Sequence, residues 1–194
     1  MEKTPRGLRL HIGIFGKRNV GKSSLLNALT EQDISIVSDV AGTTTDPVEK
    51  AMEMLPLGPV VFVDTAGIDD EGALGLQRVD KTMKVIDRID LAIIVCDYNG
   101  WNSFENKLFE EFKKREIPII AVINKSDIEQ ITAQKLEEIK NNDLNPIITS
   151  INEKETISNL KQEIIAKAPD DYLRPPAVIA DLIKPGELAV LGKC

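Results

Sequence analysis

Cysteine is almost missing from this chain: there are two in 194 residues, Cys96 and Cys194. They are too few and too far apart for a disulfide framework or a paired-thiolate metal site, and a reduced, cytoplasmic setting is expected. Histidine is scarcer still, since His11 stands alone, inside an apolar stretch where a structural role suits it better than catalysis. Aromatic residues make up 4%, so aliphatic side chains must fill the core. No apolar run reaches the about 18 residues of a membrane span. Residues 1–10 carry charges and Pro5 where a signal peptide needs an apolar segment. Neither a membrane partner nor export is expected. Basic charge is in deficit, with 24 Lys and Arg against 31 Asp and Glu for a net charge of −7. Such a surface releases few counterions from a phosphate backbone, so no nucleic-acid partner is expected. With 42% hydrophobic and 28% charged residues, the chain reads as one globular domain with a short extension, neither disordered nor a multi-domain machine.

Apolar runs alternate with helical periodicity along most of the chain. Strands are predicted over residues 8–15, 59–63, 91–96, 117–123 and 146–149, and helices over 22–30, 72–86, 104–114, 132–140 and 157–168. VVFV, LAIIV and IPIIAVI are apolar at every position, which suits strands covered on both faces. The expected fold is therefore α/β, a doubly wound sheet between two helical layers. Residues 33–54 break the alternation: a polar, Thr-rich loop precedes a weakly alternating stretch, 48–54, that reads as an edge strand. Loops of that length are usually functional. After residue 168 comes PDDYLRPP, then the apolar ADLIKPGELAVL. The expected division is 1–168 as one domain, with 169–194 as a Pro-rich linker and the start of a following domain.

Three motifs carry chemistry. GKRNVGKS, residues 16–23, is the G-x-x-x-x-G-K-[ST] phosphate loop, set between a predicted strand and helix. Its glycines let backbone N–H groups converge on phosphate oxygens, Lys22 neutralises the β and γ phosphates, and the Ser23 hydroxyl ligates Mg²⁺. Gly16, Asn19, Val20, Gly21, Lys22, Ser23 and Ser24 form the candidate cradle. DTAG follows the VVFV strand, placing Asp64 where open α/β sheets hold ligands. Asp64 can bind Mg²⁺ through water, and the Gly67 N–H can reach the γ-phosphate. NKSD ends the IPIIAVI strand and selects the base. The Asp127 carboxylate can accept from guanine N1–H and N2–H, whereas adenine would leave the charge unpaired. Asn124 and Lys125 complete that motif, the Lys125 stem lying against the base plane. Ser150, Ile151 and Asn152 follow the next strand, where a further loop can touch guanine O6.

The ordered set GKRNVGKS, GTTTD, DTAG, NKSD and TSIN resembles translation-factor-class GTPases of the TrmE and Era branch, over about residues 8–168. The resemblance implies a P-loop NTPase of the Ras-like G-domain type, with a mostly parallel six-stranded sheet and helices on both faces. More narrowly, GTTTDPV, LPLGPV and ADLIKPGELAVL resemble the G domain of the HydF family, GTPases that mature iron-iron hydrogenases. That family implies GTP/GDP and Mg²⁺ as ligands, and radical-SAM maturases and the FeFe-hydrogenase as partners. It also implies a dimer formed through domains not present in this chain. No iron–sulfur cluster is expected here, because Cys96 ends a buried strand. Carried over by position, Thr44 would join Ser23 and Asp64 around Mg²⁺, and Lys22, Thr44 and Gly67 are the implied catalytic groups. Asn19, with Thr43 and the backbone oxygens of Ser38 and Val40, would hold K⁺. The same asparagine also suits a plain turn. Ile68 follows DTAG where Ras-like enzymes place a water-orienting glutamine, and a bound cation could supply charge at the transition state instead. The glutamate that related enzymes use to hold the attacking water aligns with Leu76, so the water-positioning residue is unassigned.

Three functions fit. The first is a slow, Mg²⁺-dependent and K⁺-activated GTPase switch on a hydrogenase-maturation scaffold. The second is a tRNA-modification or ribosome-assembly GTPase of the same branch. The third is a non-hydrolysing GTP sensor.

Overall fold

The computed structural model describes residues 9–31, 38–40, 48–65 and 85–173. Seven strands form a single sheet: β1 (Leu10–Phe15), β2 (Ser38–Val40), β3 (Val48–Met54), β4 (Gly58–Asp64), β5 (Leu91–Cys96), β6 (Ile119–Ile123) and β7 (Ile147–Ile148). Their spatial order is β2-β3-β4-β1-β5-β6-β7. The pairs from β4 to β7 are parallel, while β2–β3 and β3–β4 are antiparallel. The Ras-like expectation of a mostly parallel sheet with helices on both faces is met, with one addition. The three-residue β2 extends the six expected strands at the edge and is too short for its pairing to show in the pattern.

The helices are α1 (Lys22–Glu31), α2 (Ser103–Lys114), α3 (Ala133–Lys140), α4 (Lys154–Lys167) and the single turn α5 (Asp170–Leu173). Leu10, Ile12 and Ile14 of β1 join α1 and the Ile157, Leu160 and Ile164 stripe of α4 in one core cluster. Ala92, Ile94 and Cys96 of β5 join Leu108, Phe109 and Phe112 of α2 and Ile139 of α3 in the other. A strand with side chains in both layers must be apolar at every position, which is why LAIIVC is buried from end to end.

Differences from the expected boundaries have local causes. β6 begins after Pro118, which has no N–H to give the ladder but whose carbonyl accepts from the Ala92 N–H at 2.9 Å. α4 begins three residues ahead of its apolar stripe, because its first turn is polar and exposed. Tyr172 and Leu173, in the stretch read as linker, pack on the first core cluster. Asp90 takes the His11 backbone N–H at 3.0 Å, and the Tyr172 hydroxyl also bonds to it. Burial alone would raise the Asp90 pKa, but these bonds bring it below the ordinary carboxylate value. The His11 ring stands beside the same carboxylate, its Nδ1 3.6 Å from Asp90 Oδ2. The helix expected over 72–86 lies outside the described residues except for helical Val85 and Ile86. Among the described residues no helix is long and apolar enough to cross a membrane.

Candidate functional site

Strand order reverses at β1: the chain builds β2 to β4 on one side of it and β5 to β7 on the other. Ligands of open α/β sheets bind at such a point, beyond the strands' carboxyl ends. The parallel register places Phe15, Asp64, Cys96, Ile123 and Ile148 at that edge. Each is followed by a loop, and three of those loops are the motifs.

Gly16 has φ +148°, and a Cβ there would stand 2.1 Å from the Val95 carbonyl oxygen. Only glycine lets the loop leave β1 so close to β5. Gly21, at φ +95°, would drive a Cβ to 2.4 Å from Asn124 Nδ2, and Asn19 also has positive φ, +66°. These left-handed positions turn the backbone so that successive N–H groups face one point. α1 starts at Lys22 with no acidic residue in its first turn, so its N-terminal dipole is left for an anion. Lys22 is only 6% exposed. Its ammonium donates to the carbonyls of Gly16 at 2.5 Å and Lys17 at 2.9 Å.

Ser23 Oγ donates to Asp64 Oδ2 at 2.6 Å. Two hard oxygen donors, one from α1 and one from the end of β4, thus meet beside the phosphate loop, which fits the ligand chemistry of Mg²⁺. Thr65, next in DTAG, is fully buried and donates from Oγ1 to the Ile14 carbonyl at 2.6 Å. That bond ties the start of the loop to the strand carrying the phosphate loop. The sequence reading gave Thr65 no role, though it stood inside a quoted motif.

At the base end, Asn124 Nδ2 donates to the Val20 carbonyl at 2.9 Å, and its Oδ1 accepts from Thr149 Oγ1 at 3.1 Å. Asn124 therefore braces the phosphate loop, and Thr149, assigned nothing from the sequence, orients it. Lys125, itself at φ +65°, donates through Nζ to the Asn19 carbonyl. Asp127 is exposed, and its Oδ2 accepts from Asn152 Nδ2 at 2.8 Å. Hydrogen bonds from Asn152 and then Ser150 hold its carboxyl below the ordinary carboxylate pKa. Ser150 is buried, pinned by its N–H to Thr156 Oγ1 at 3.0 Å. Ser24 and Ile151 are exposed nearby.

Thr43, Thr44 and Gly67 lie outside the described residues, as do Ile68 and Leu76. Ser38 and Val40 are in β2, three strands from β1 in the sheet order, and the Asn19 carbonyl accepts from Lys125 Nζ. Among the described residues no group of three or more His, Cys, Asp or Glu could hold a metal. Cys96 is buried, and desolvation, with Glu105 and Asp97 nearby, pushes its thiol pKa to about 12.

A profile for 50S ribosome-binding GTPases matches residues 11–125, more than half of the chain. GTPase Der of Wolinella succinogenes is 41% identical over 141 residues, 71% of this chain and 29% of that protein. GTPase Der of Campylobacter jejuni strain 81-176 is 38% identical over 130 residues, 65% of this chain and 28% of that one. The chain spans less than a third of the length of these relatives. Among solved structures, Aquifex aeolicus Era bound to GDP·AlF4⁻ superposes with TM-score 0.64 at 29% identity, covering 82% of this chain and 56% of that one. Era in complex with MgGDPNP and nucleotides 1506–1542 of 16S ribosomal RNA matches equally. Two expectations change. The relatives are named Der and Era, which does not support hydrogenase partners. The argument from net charge against nucleic acid also fails, since a similar protein was crystallised on RNA. A charge summed over the whole surface reports neither a local cluster nor a neighbouring domain. From its nucleotide-site geometry, fold and family match together, the chain belongs to the 50S ribosome-binding GTPase family and is a GTP-binding G domain of the Era and Der type.

Proposed function

We propose that this chain is the nucleotide switch of a larger assembly GTPase, binding GTP with Mg²⁺ and hydrolysing the γ-phosphate. The observation that carries this is the Asn124–Val20 hydrogen bond, which joins the base-reading and phosphate-binding loops into one rigid receptor for a guanine nucleotide. Asp127 accepts from the guanine edge, Lys125 lies along its face, and the N–H groups at the start of α1 with Lys22 take the phosphates. Ser23 and Asp64 would hold Mg²⁺, with Thr44, and the ion neutralises charge between the β and γ phosphates. Lys22, Thr44 and Gly67 are assigned to hydrolysis by in-line attack of water, with K⁺ at Asn19 as activator. Loss of the γ-phosphate would release residues 33–46 and 64 to about 80, the switch that partners read.

The 50S ribosome-binding family match and the similar Era solved with 16S ribosomal RNA support a ribosome-related process, in which the partner is ribosomal RNA or a ribosomal subunit. The segments GTTTDPV, LPLGPV and ADLIKPGELAVL, which lie largely outside the nucleotide motifs, support the second reading, a scaffold for hydrogenase maturation in the cytoplasm. Hydrolysis is measured with Mg²⁺ in KCl and in NaCl at equal ionic strength, alongside Asn19→Ala. Turnover is expected, faster in K⁺ and equalised by the substitution; no turnover in either salt sinks the switch reading. Capture by the chain loaded with a non-hydrolysable GTP analogue then separates the processes: ribosomal subunits support the first, radical-SAM maturases the second.

A further inference from the structure

Behind the phosphate loop lies a carboxylate that no nucleotide motif accounts for. Glu105 is the third residue of α2 and its side chain is 1% exposed. Its Oε2 accepts the Asn102 N–H at 3.0 Å, the reciprocal half of a capping box. A glutamate in that role needs only to reach back to the cap and can leave its other oxygen in water. Here Oε1 is buried with no hydrogen-bond partner, a costly arrangement for an ionised group. Capping alone does not explain the burial.

Lys17 does. Its ammonium stands 3.7 Å from Glu105 Oε2, and it is the residue after Gly16 in the phosphate loop. The Lys17 carbonyl is one of the two on which the Lys22 ammonium is set. A second tie runs from the same helix to the end of β1, from which the loop springs: the Phe112 ring packs edge-on against Phe15, with centroids 5.0 Å apart. α2 thus grips the loop's root through an aromatic contact and its next residue through a charge.

We propose that Glu105 is a positioning residue for the nucleotide's phosphates, holding Lys17 so that the loop carbonyls seat Lys22 without Glu105 itself touching the ligand. This rests on the GTP-binding reading and adds a residue to it. A negative charge placed near a polyphosphate repels it, so if Glu105 acted merely as a charge its removal would tighten binding. Positioning predicts the opposite sign.

The 194-residue chain is compared with Glu105→Gln, Lys17→Met and the double variant, measuring Kd for GDP and for guanosine. Glu105→Gln keeps shape and can still cap Asn102. GDP binding is expected to weaken about 3- to 10-fold in each single variant, with the double no worse than the weaker single. Guanosine, which has no phosphates, is expected to bind as before. Glu110→Gln, exposed on α2, is expected to change nothing. Unchanged or tighter GDP binding by Glu105→Gln overturns the proposal, and so does a parallel loss of guanosine, which would mark a general structural role. If Glu105→Gln does not fold, Glu105→Asp, which keeps the charge but shortens its reach to Lys17, decides by the same GDP-against-guanosine comparison. Failure of the unmodified chain to bind GDP would sink the GTP-binding reading itself, a result distinct from any of these.

Discussion

Asn124 and Val20 are 104 residues apart in the chain, and the side-chain amide of one donates to the backbone carbonyl of the other at 2.9 Å. Through that bond the loop assigned to the base also shapes the loop assigned to the phosphates. Neither motif, taken alone, implies the connection.

Replacing Asn124 with alanine should therefore damage both ends of the site. The Val20 carbonyl and Thr149 Oγ1 lose their partner together, and a buried polar group left without one costs about 1–3 kcal/mol. GDP affinity is expected to fall by at least about 10-fold and the melting temperature to drop. Calorimetric titration with parallel thermal unfolding checks both, and unchanged affinity would refute the brace.

Gly16→Ala is expected to be among the most damaging small substitutions in the chain. Its Cβ would meet the Val95 carbonyl oxygen at 2.1 Å, and a backbone oxygen cannot rotate away. We expect a loss of about 2–4 kcal/mol in unfolding free energy, as for severe steric strain, measured by urea denaturation. A variant as stable as the parent would show that the loop does not leave β1 this way.

Asp127, the carboxylate assigned to the base, makes a pH prediction. Asn152, then Ser150, lower the Asp127 pKa, so the ionised form is favoured in the folded chain. That contribution is fully present above the ordinary carboxylate value of about 3.9 and is lost only as pH falls through the lower folded value. Carboxyl NMR titration should find Asp127 below about 3.9, and Asn152→Ala should move it upward. An identical titration in the variant would remove Asn152 from this role.

Cys96 supplies an independent check on the second core cluster. Desolvation first, then Glu105 and Asp97, raise its thiol pKa to about 12, and only the thiolate is nucleophilic. At pH 8 an alkylating reagent should leave Cys96 unmodified in the native chain and label it in denaturant. Peptide mapping distinguishes it from Cys194, and rapid native labelling at Cys96 would contradict the burial.

Much of this was legible in the sequence because its causes are local. Strand β5 was read with its final boundaries, since a strand covered on both faces must be apolar at every position, and LAIIVC is. The left-handed turns at Gly16 and Gly21 leave glycines where a side chain would collide. Lys22, Ser23, Asp64, Asn124 and Asp127 were placed by motif and strand end, and the fold gathers them along one edge. The short β2 was not legible: the three residues SDV beside β3 are too few to show a pattern of their own, and only the neighbouring strand supplies their ladder. Tyr172 looked like part of a linker because its partner, Asp90, stands 82 residues earlier.

The order and chemistry of the nucleotide motifs, and hence the proposed guanine and phosphate receptor, were determined by the sequence itself, because each motif is a short run with its own backbone and charge requirements. Which side chains brace that receptor was decided only by the tertiary structure. Thr65 on Ile14, Thr149 on Asn124 and Glu105 beside Lys17 are ordinary polar residues that acquire a role when folding removes water and leaves one partner within reach. A hydrogen bond between distant segments imposes no spacing on the sequence, so it becomes visible only once the strands are in register.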